Sequence, residues 1–535
     1  MKRISIAVIT MLAALNMMAQ HTNNQTNQLV NTQLHKLLLA ESAINQLYVD
    51  SVNEENVVED AINGMLKQLD PHSAYTPAKD VKALTEPLEG NFDGIGVQYN
   101  MVEDTLVVVQ PVSDGPSEKV GILAGDRIIT VNDTSIAGQK LTTEDIKRKL
   151  RGPRGSKVKL GIMRDGVKGL HHFTVTRGKI PVYSIDATYM IDNTTGYIRI
   201  NNFGATTHQE FVSAIHMLRD NGMINLVLDL QANSGGYLQA AVDISNEFLD
   251  KGDLIVFTEG RVMPRREYRA NGNGIFKEGR VVVLIDSYTA SAAEIVSGAI
   301  QDNDRGLVVG RRSFGKGLVQ RPIDLPDGSM IRLTTAHYYS PSGRCIQKPY
   351  EKGKSEDYNN DMLERLKTGE LTNPDSIHFA DSLRYFTQKN HRVVYGGGGI
   401  MPDVYVALDT TQYTPLHRQL SVKSCIIQTC LKYTEKNGKK IKKEYKDFAD
   451  YKSSYEVGKD VIDILLDYAK KAGVEYSDSL LEKSYPLLKL QLKALIARNV
   501  WDMANYYQIY NNANAIYNKG VATIKEDNFY DKLSK

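Results

Sequence analysis

The chain has 535 residues, enough for several domains, and its 42% hydrophobic and 24% charged content supports packed cores rather than global disorder. Lys plus Arg (65) nearly balances Asp plus Glu (63), which argues against a dedicated nucleic-acid binder with a strongly basic face. Only Cys345, Cys425 and Cys430 carry thiols, which excludes a disulfide-built scaffold and leaves no CxxC pair for zinc or redox chemistry.

Lys2 and Arg3 precede an apolar stretch from Ile4 to Leu15, and a small residue follows at Ala19. Positive start, short apolar middle and small-residue end are the pattern of a secretory signal peptide, expected over residues 1–19. A helix of this length rises about 18 Å, short of the ~30 Å hydrocarbon core. No later stretch reaches the roughly 18 apolar residues of a spanning helix. The expectation is an exported protein of the periplasm or cell envelope with no integral membrane segment.

Residues 20–85 read as a helical region. Leu37, Leu38, Ile44 and Leu47 recur at three and four spacings, as do Val57, Ile62, Met65, Leu66 and Leu69, before Asp70-Pro71 breaks the pattern. This region suits packing or homodimerisation. Residues 86–178 form a small β-rich domain: period-two runs at Lys157–Arg164 and Leu170–Thr176 flank an Asp165-Gly166 turn, with a helix over Thr143–Leu150. Residues 179–347 and 393–410 alternate strands and helices, which implies a layered α/β core. The uninterrupted run Val281–Ile285 predicts a strand covered on both faces. Residues 348–392 are polar and read as an insertion. Residues 411–535 form a helical extension, in which seven lysines between Lys432 and Lys446 suggest a solvated face or linker.

Three segments could carry chemistry. After the buried strand, Ser291 opens a helix, where free backbone N–H groups favour a developing oxyanion. Ser291-Ala292-Ala293-Glu294 is equally a capping box, which needs no catalysis. Lys316 stands between Gly315 and Gly317. A lysine is a base only when neutral, and burial among apolar neighbours lowers its pKa; a solvated lysine in a glycine turn fits the same pattern. Gly310 to Lys316 matches a phosphate loop, yet Gly317 stands where Ser or Thr should bind magnesium and Pro322 breaks the helix that should follow. The third segment, Asn233-Ser234-Gly235-Gly236, lets backbone N–H groups approach a ligand oxygen, or is a simple strand-to-helix turn. The chain has no G-x-S-x-G elbow, no H-E-x-x-H motif and no ligand-spaced histidine cluster, so no metal, no cofactor and no Ser-His-Asp triad is expected.

In their joint order, Leu69-Asp70-Pro71-His72-Ser73-Ala74-Tyr75, Gly94-Ile95-Gly96-Val97, Asn233-Ser234-Gly235-Gly236, Thr289-Ala290-Ser291-Ala292-Ala293-Glu294, Phe314-Gly315-Lys316-Gly317-Leu318-Val319-Gln320, Tyr338-Tyr339-Ser340-Pro341 and Gly399-Ile400-Met401-Pro402-Asp403 resemble the C-terminal processing peptidases, or tail-specific proteases. The resemblance spans roughly residues 35–410. It implies a multidomain α+β protein: a PDZ domain at 86–178 and a layered α/β, ClpP/crotonase-like Ser-Lys peptidase core, between helical N- and C-terminal regions. It further implies Ser291 as nucleophile, Lys316 as general base and Gln320 as the residue orienting it. The N–H groups of Gly235 or Gly236 and of Ala292 would form the oxyanion hole. Gln231 and Ser234 depart from the Arg and Pro frequent in the glycine motif, and Cys345 stands where serine is common. The PDZ resemblance implies that a protein or peptide C-terminus adds as a strand beside Gly94, Ile95, Gly96 and Val97. The implied function is an exported serine endopeptidase that cleaves tail-bearing proteins through an acyl-enzyme. The competing reading is a catalytically silent PDZ scaffold that binds protein C-termini.

Overall fold

The computed structural model describes residues 32–534 except 113, 355, 357, 359 and 412; the expected signal peptide lies outside the described residues. The described chain forms two units, one comprising residues up to 79 with 322–333 and 350–355, the other comprising the rest. In the first, a helix over 32–47 precedes the helix Glu54–Lys67, whose N-cap Asn53 accepts from the Asn56 N–H at 3.1 Å. The Asp70-Pro71 break has a physical cause. Asp70 Oδ1 accepts from the N–H groups of His72 and Ser73, both at 2.9 Å, and Oδ2 accepts from the Ser73 hydroxyl at 2.6 Å. This turn launches the strand Ala74–Thr76, antiparallel to Met330–Arg332. Leu34, Leu37, Leu38, Leu39 and Leu47 are each more than half exposed.

The second unit opens with the β-rich domain, entered and left through an antiparallel ribbon of Asn91–Gly94 with Gly178–Pro181. Its sheet runs Val97–Val102, Thr105–Pro111, Arg127–Val131, Lys157–Met163, His171–Thr176, so Val97–Val102 is an edge strand with one open side. Alternate residues Leu106, Val108, Val158, Leu160 and Ile162 fill its core. The helix Thr143–Leu150 forms at the expected residues, started by a capping box between Thr142 and Asp145.

The α/β core is a six-stranded sheet in the order Ile185–Met190, Thr195–Ile200, Asn225–Asp229, Val281–Ile285, Leu307–Gly310, Val404–Tyr405; the first pair is antiparallel and the rest parallel. Val281–Ile285 is buried throughout, and its alternation shows why. Val281, Val283 and Ile285 face the helices Thr207–Asp220, Leu238–Asn246 and Ala292–Asp302. Val282 and Leu284 pack instead with Ile516, Tyr517 and Phe529 from the end of the chain. The last helices of the extension are thus the third layer of the core. Contact there is close: a Cβ at Gly520 would lie 2.4 Å from Leu284 Cδ2.

The earlier part of the extension builds its own core around Leu420, Ile426, Cys430, Tyr451, Leu465, Leu488 and Leu492. Its 20-residue helix Cys425–Glu444 also touches the β-rich domain. Leu431 is buried with Val102 and Val107, Lys432 pairs with Glu103 at 2.5 Å, and Arg127 pairs with Glu435. The lysine-rich segment is therefore helix rather than linker. No helix of the described residues is long and apolar enough to cross a membrane.

Candidate active site

The expected site residues Ser291, Lys316, Gly235 and Gly236 come from three loops at one end of the core sheet, with Ala292 opening the helix Ala292–Asp302 and Gln320 on the strand Leu318–Asp324. The first loop follows Val281–Ile285. Asp286 Oδ1 accepts from the N–H groups of Tyr288 (2.9 Å), Thr289 (3.1 Å) and Ala232 (3.0 Å), and the Thr289 hydroxyl donates to the Leu230 carbonyl at 2.8 Å. The turn is thereby locked to the glycine loop beside it. It delivers Ser291 at φ 55° and ψ −116°, a strained conformation for a residue with a side chain, costing about 1–3 kcal/mol. Such strain persists where the surroundings over-determine it, and functional sites collect it.

The glycine loop supplies the space. Asn233 Oδ1 accepts from the Gly235 N–H at 2.8 Å, and the Asn233 amide donates to the Ile200 carbonyl at 2.8 Å. Gly235 has φ 100°, and a Cβ on it would lie 2.7 Å from Ser291 Cβ. Gly236 has φ 147°, and a Cβ there would lie 2.2 Å from the Phe203 carbonyl oxygen. Neither position admits another residue. The departure at Gln231 is absorbed locally: its side-chain amide donates to Asp229 Oδ1 at 3.1 Å and its Oε1 accepts from the Asn514 amide at 3.2 Å, while Arg199 pairs with the same buried Asp229 at 2.7 Å.

The third loop, between the strands Leu307–Gly310 and Leu318–Asp324, carries Lys316. Its ammonium nitrogen donates to Gln320 Oε1 at 3.0 Å. What joins this loop to Ser291 is Glu294, which is 1% exposed. Its Oε2 accepts from the backbone N–H groups of both Ser291 (2.8 Å) and Lys316 (2.9 Å). Its Oε1 accepts from the Gly315 N–H (2.7 Å) and the Ser313 hydroxyl (2.5 Å). One oxygen atom therefore places the two backbones side by side. Burial raises the Glu294 carboxyl pKa above its ordinary value, and the Ser313, Lys316, Gly315 and Ser291 donors oppose that rise without cancelling it. Two donors on each oxygen favour the ionised carboxylate.

Sequence reasoning reached Glu294 only as a cap, and missed Tyr338. The phenol donates to the Ser291 carbonyl at 3.0 Å and also reaches the Lys316 carbonyl. Its single hydrogen is shared between the two backbones that Glu294 joins. Tyr338→Phe is expected to cost about 1–2 kcal/mol, read as a lower urea midpoint; an unchanged midpoint would show that the phenol ties nothing.

The peptide-binding candidates lie in the β-rich domain. Ile95 is 3% exposed and its side chain belongs to that domain's core, so only its backbone can face a ligand. Gly96 turns the chain at φ 72°, where a Cβ would lie 2.8 Å from Ile180 Cδ1, and Val97 starts the open edge strand.

The chain is similar to known proteins. Residues 194–359 match peptidase family S41, 94–175 the PDZ domain, 6–80 the activating protease CtpB N-terminal domain, and 416–502 a family of unknown function. The chain is 35% identical over 347 residues to a carboxy-terminal-processing protease of Bartonella bacilliformis, covering 64% of this chain and 79% of that one. It is 34% identical to the carboxy-terminal processing protease CtpA of Bacillus subtilis (60% and 69% covered). It is 31% identical to a carboxyl-terminal-processing protease of Synechocystis (69% and 90% covered). With its PDZ domain and S41 core, the chain belongs to the carboxy-terminal-processing proteases, a family of serine-type peptidases.

Proposed function

We propose that the chain is an exported endopeptidase that selects substrates by their C-termini and cleaves them with Ser291 and Lys316. The observation that carries this reading is the single Glu294 oxygen bonded to the backbone N–H of both residues. Neutral Lys316, oriented by Gln320, takes the proton of the Ser291 hydroxyl as that oxygen attacks the scissile carbonyl. The Gly236 and Ala292 N–H groups, which have no partner among the described residues, stabilise the resulting oxyanion. Gly235 is better suited to making room, since its N–H already bonds Asn233. The lysine ammonium returns the proton to the departing amine, and water then hydrolyses the acyl-enzyme.

Tail selection falls to the PDZ domain. A peptide adds to the open side of Val97–Val102, with its carboxylate beside the turn at Gly94–Gly96. The first nineteen residues support export to the periplasm or envelope, where substrates would be met. The exposed leucines of the 32–47 helix support a homodimer.

Matched unfolded substrates ending in a free carboxylate or a carboxamide test tail selection. Losing one charge-assisted contact costs about 1.5–3 kcal/mol, so amidation is expected to lower kcat/KM roughly ten- to a hundred-fold. Equal rates on both substrates would remove the PDZ domain from selection.

A further inference from the structure

The polar insertion reaches the lysine loop from behind. Its helix Asp361–Lys367 carries Arg365, a guanidinium only 2% exposed. Arg365 Nη1 donates to the Ser313 carbonyl at 2.9 Å, Nη2 donates to the Phe314 carbonyl at 3.2 Å, and Nε lies 2.9 Å from Asp361. Beside it, Arg312 donates to Glu370 at 2.8 Å. The Lys348 ammonium sits over the Phe314 ring at 4.1 Å and 3.1 Å from Asp361. Glu294 approaches the same loop from the nucleophile helix, and Tyr338 from its own strand.

Charges of both signs meet behind the loop, while Arg311 at its start faces Asp286, Tyr405, Tyr288 and Tyr413 instead. Glu294, Asp361 and Glu370 are opposed by Arg312, Lys348 and Arg365. Glu294 bonds the Lys316 backbone directly, and a carboxylate there favours the ammonium form, the wrong form for a base. Arg365 is the cation that grips the two residues before Gly315, on the loop that Glu294 also bonds.

We propose that Arg365 is a positioning residue for catalysis: it clamps the lysine loop through its carbonyls and offsets the Glu294 charge, so that Lys316 sheds its proton at the working pH. This rests on the Ser291–Lys316 reading. Burial and Arg312 lower the Arg365 pKa, while Asp361, Glu370 and Glu294 raise it, in keeping with charges that share one field. An arginine stays charged throughout.

The acid limb of kcat/KM against pH reports the base in the free enzyme. Arg365→Gln leaves the cluster one charge more negative, and the limb is expected to move up by about one pH unit. Glu370→Gln leaves it one charge more positive, and the limb moves down by a similar amount. Arg365→Lys keeps the charge and loses the fork, so the rate falls while the limb stays. Limbs that do not move in either neutralised variant overturn the proposal. If Arg365→Gln does not fold, Glu370→Gln decides alone: a downward shift supports the proposal and an unmoved limb ends it. Lys316→Ala separates the two readings, because wild-type cleavage by that variant defeats the dyad itself, whereas a dead Lys316→Ala with unmoved limbs defeats only the role of Arg365.

Discussion

Ser291→Ala and Lys316→Ala are each expected to lower kcat/KM on unfolded β-casein by at least about a thousand-fold, with a thermal midpoint close to the wild type. The Ser291 hydroxyl is the bond-forming atom in the proposed reaction, and nothing nearby replaces it. Lys316 lies outside the buried core, so truncating its side chain removes little packing, and the backbone bonds that fix its loop survive. Loss of activity without loss of stability is therefore the signature. The double variant should be no slower than either single one, because the two side chains act as a unit. Gln320→Ala is expected to lose less, since it orients the amine at 3.0 Å and does not accept the proton. Equal cleavage by the wild type and both single variants would eliminate the dyad.

How much of this was legible beforehand differs from residue to residue for physical reasons. The apolar run Val281–Ile285 announced a strand covered on both faces, because only such a strand tolerates no polar residue. It could not announce what the second cover was. That is the helix Ala515–Lys525, whose Gly520 fits against Leu284 from far along the chain. Helix periodicity in the extension reports an apolar face, never the surface that receives it. The lysines between Lys432 and Lys446 show the same limit. Six are exposed, as their composition suggests, but Lys432 pairs with Glu103 on the PDZ domain, and the far side of the helix buries Cys425, Ile426, Cys430 and Ile441.

Within the site, spacing revealed one of the four bonds that Glu294 accepts. S-x-x-E says that the carboxylate returns to the Ser291 N–H, and it does so at 2.8 Å. Three further donors, from Ser313, Gly315 and Lys316, arrive through the tertiary fold and leave no trace in a three-residue pattern. Arg365 is the extreme case. A charged residue in a polar insertion reads as solvated, yet this one is buried because its two terminal nitrogens find the carbonyls of Arg312, Ser313 and Phe314 and its Nε lies 2.9 Å from Asp361. The two glycines were legible because the requirement there is steric: positive φ and absent Cβ at Gly235 and Gly236 are met by one residue type.

Glu294 also sets the second large effect. Glu294→Ala strands four donors in a buried site, and the expected loss of stability is about 3–5 kcal/mol, with no measurable cleavage. Glu294→Gln is the sharper test because it keeps the shape. Its one amide oxygen can still accept from two donors, but its NH2 must then face the other pair. If the NH2 takes the Oε2 position it meets the Ser291 and Lys316 N–H groups, donor against donor. If it takes the Oε1 position it meets the Gly315 N–H, and only the Ser313 hydroxyl can turn to accept. Either orientation opens the loop that holds Lys316 beside Ser291. A stability loss of about 2–4 kcal/mol in urea unfolding is expected, with casein cleavage down at least about a hundred-fold in the fraction that remains folded. A folded Glu294→Gln protein that cleaves casein at the wild-type rate would mean that the two backbones are held together by something other than this carboxylate.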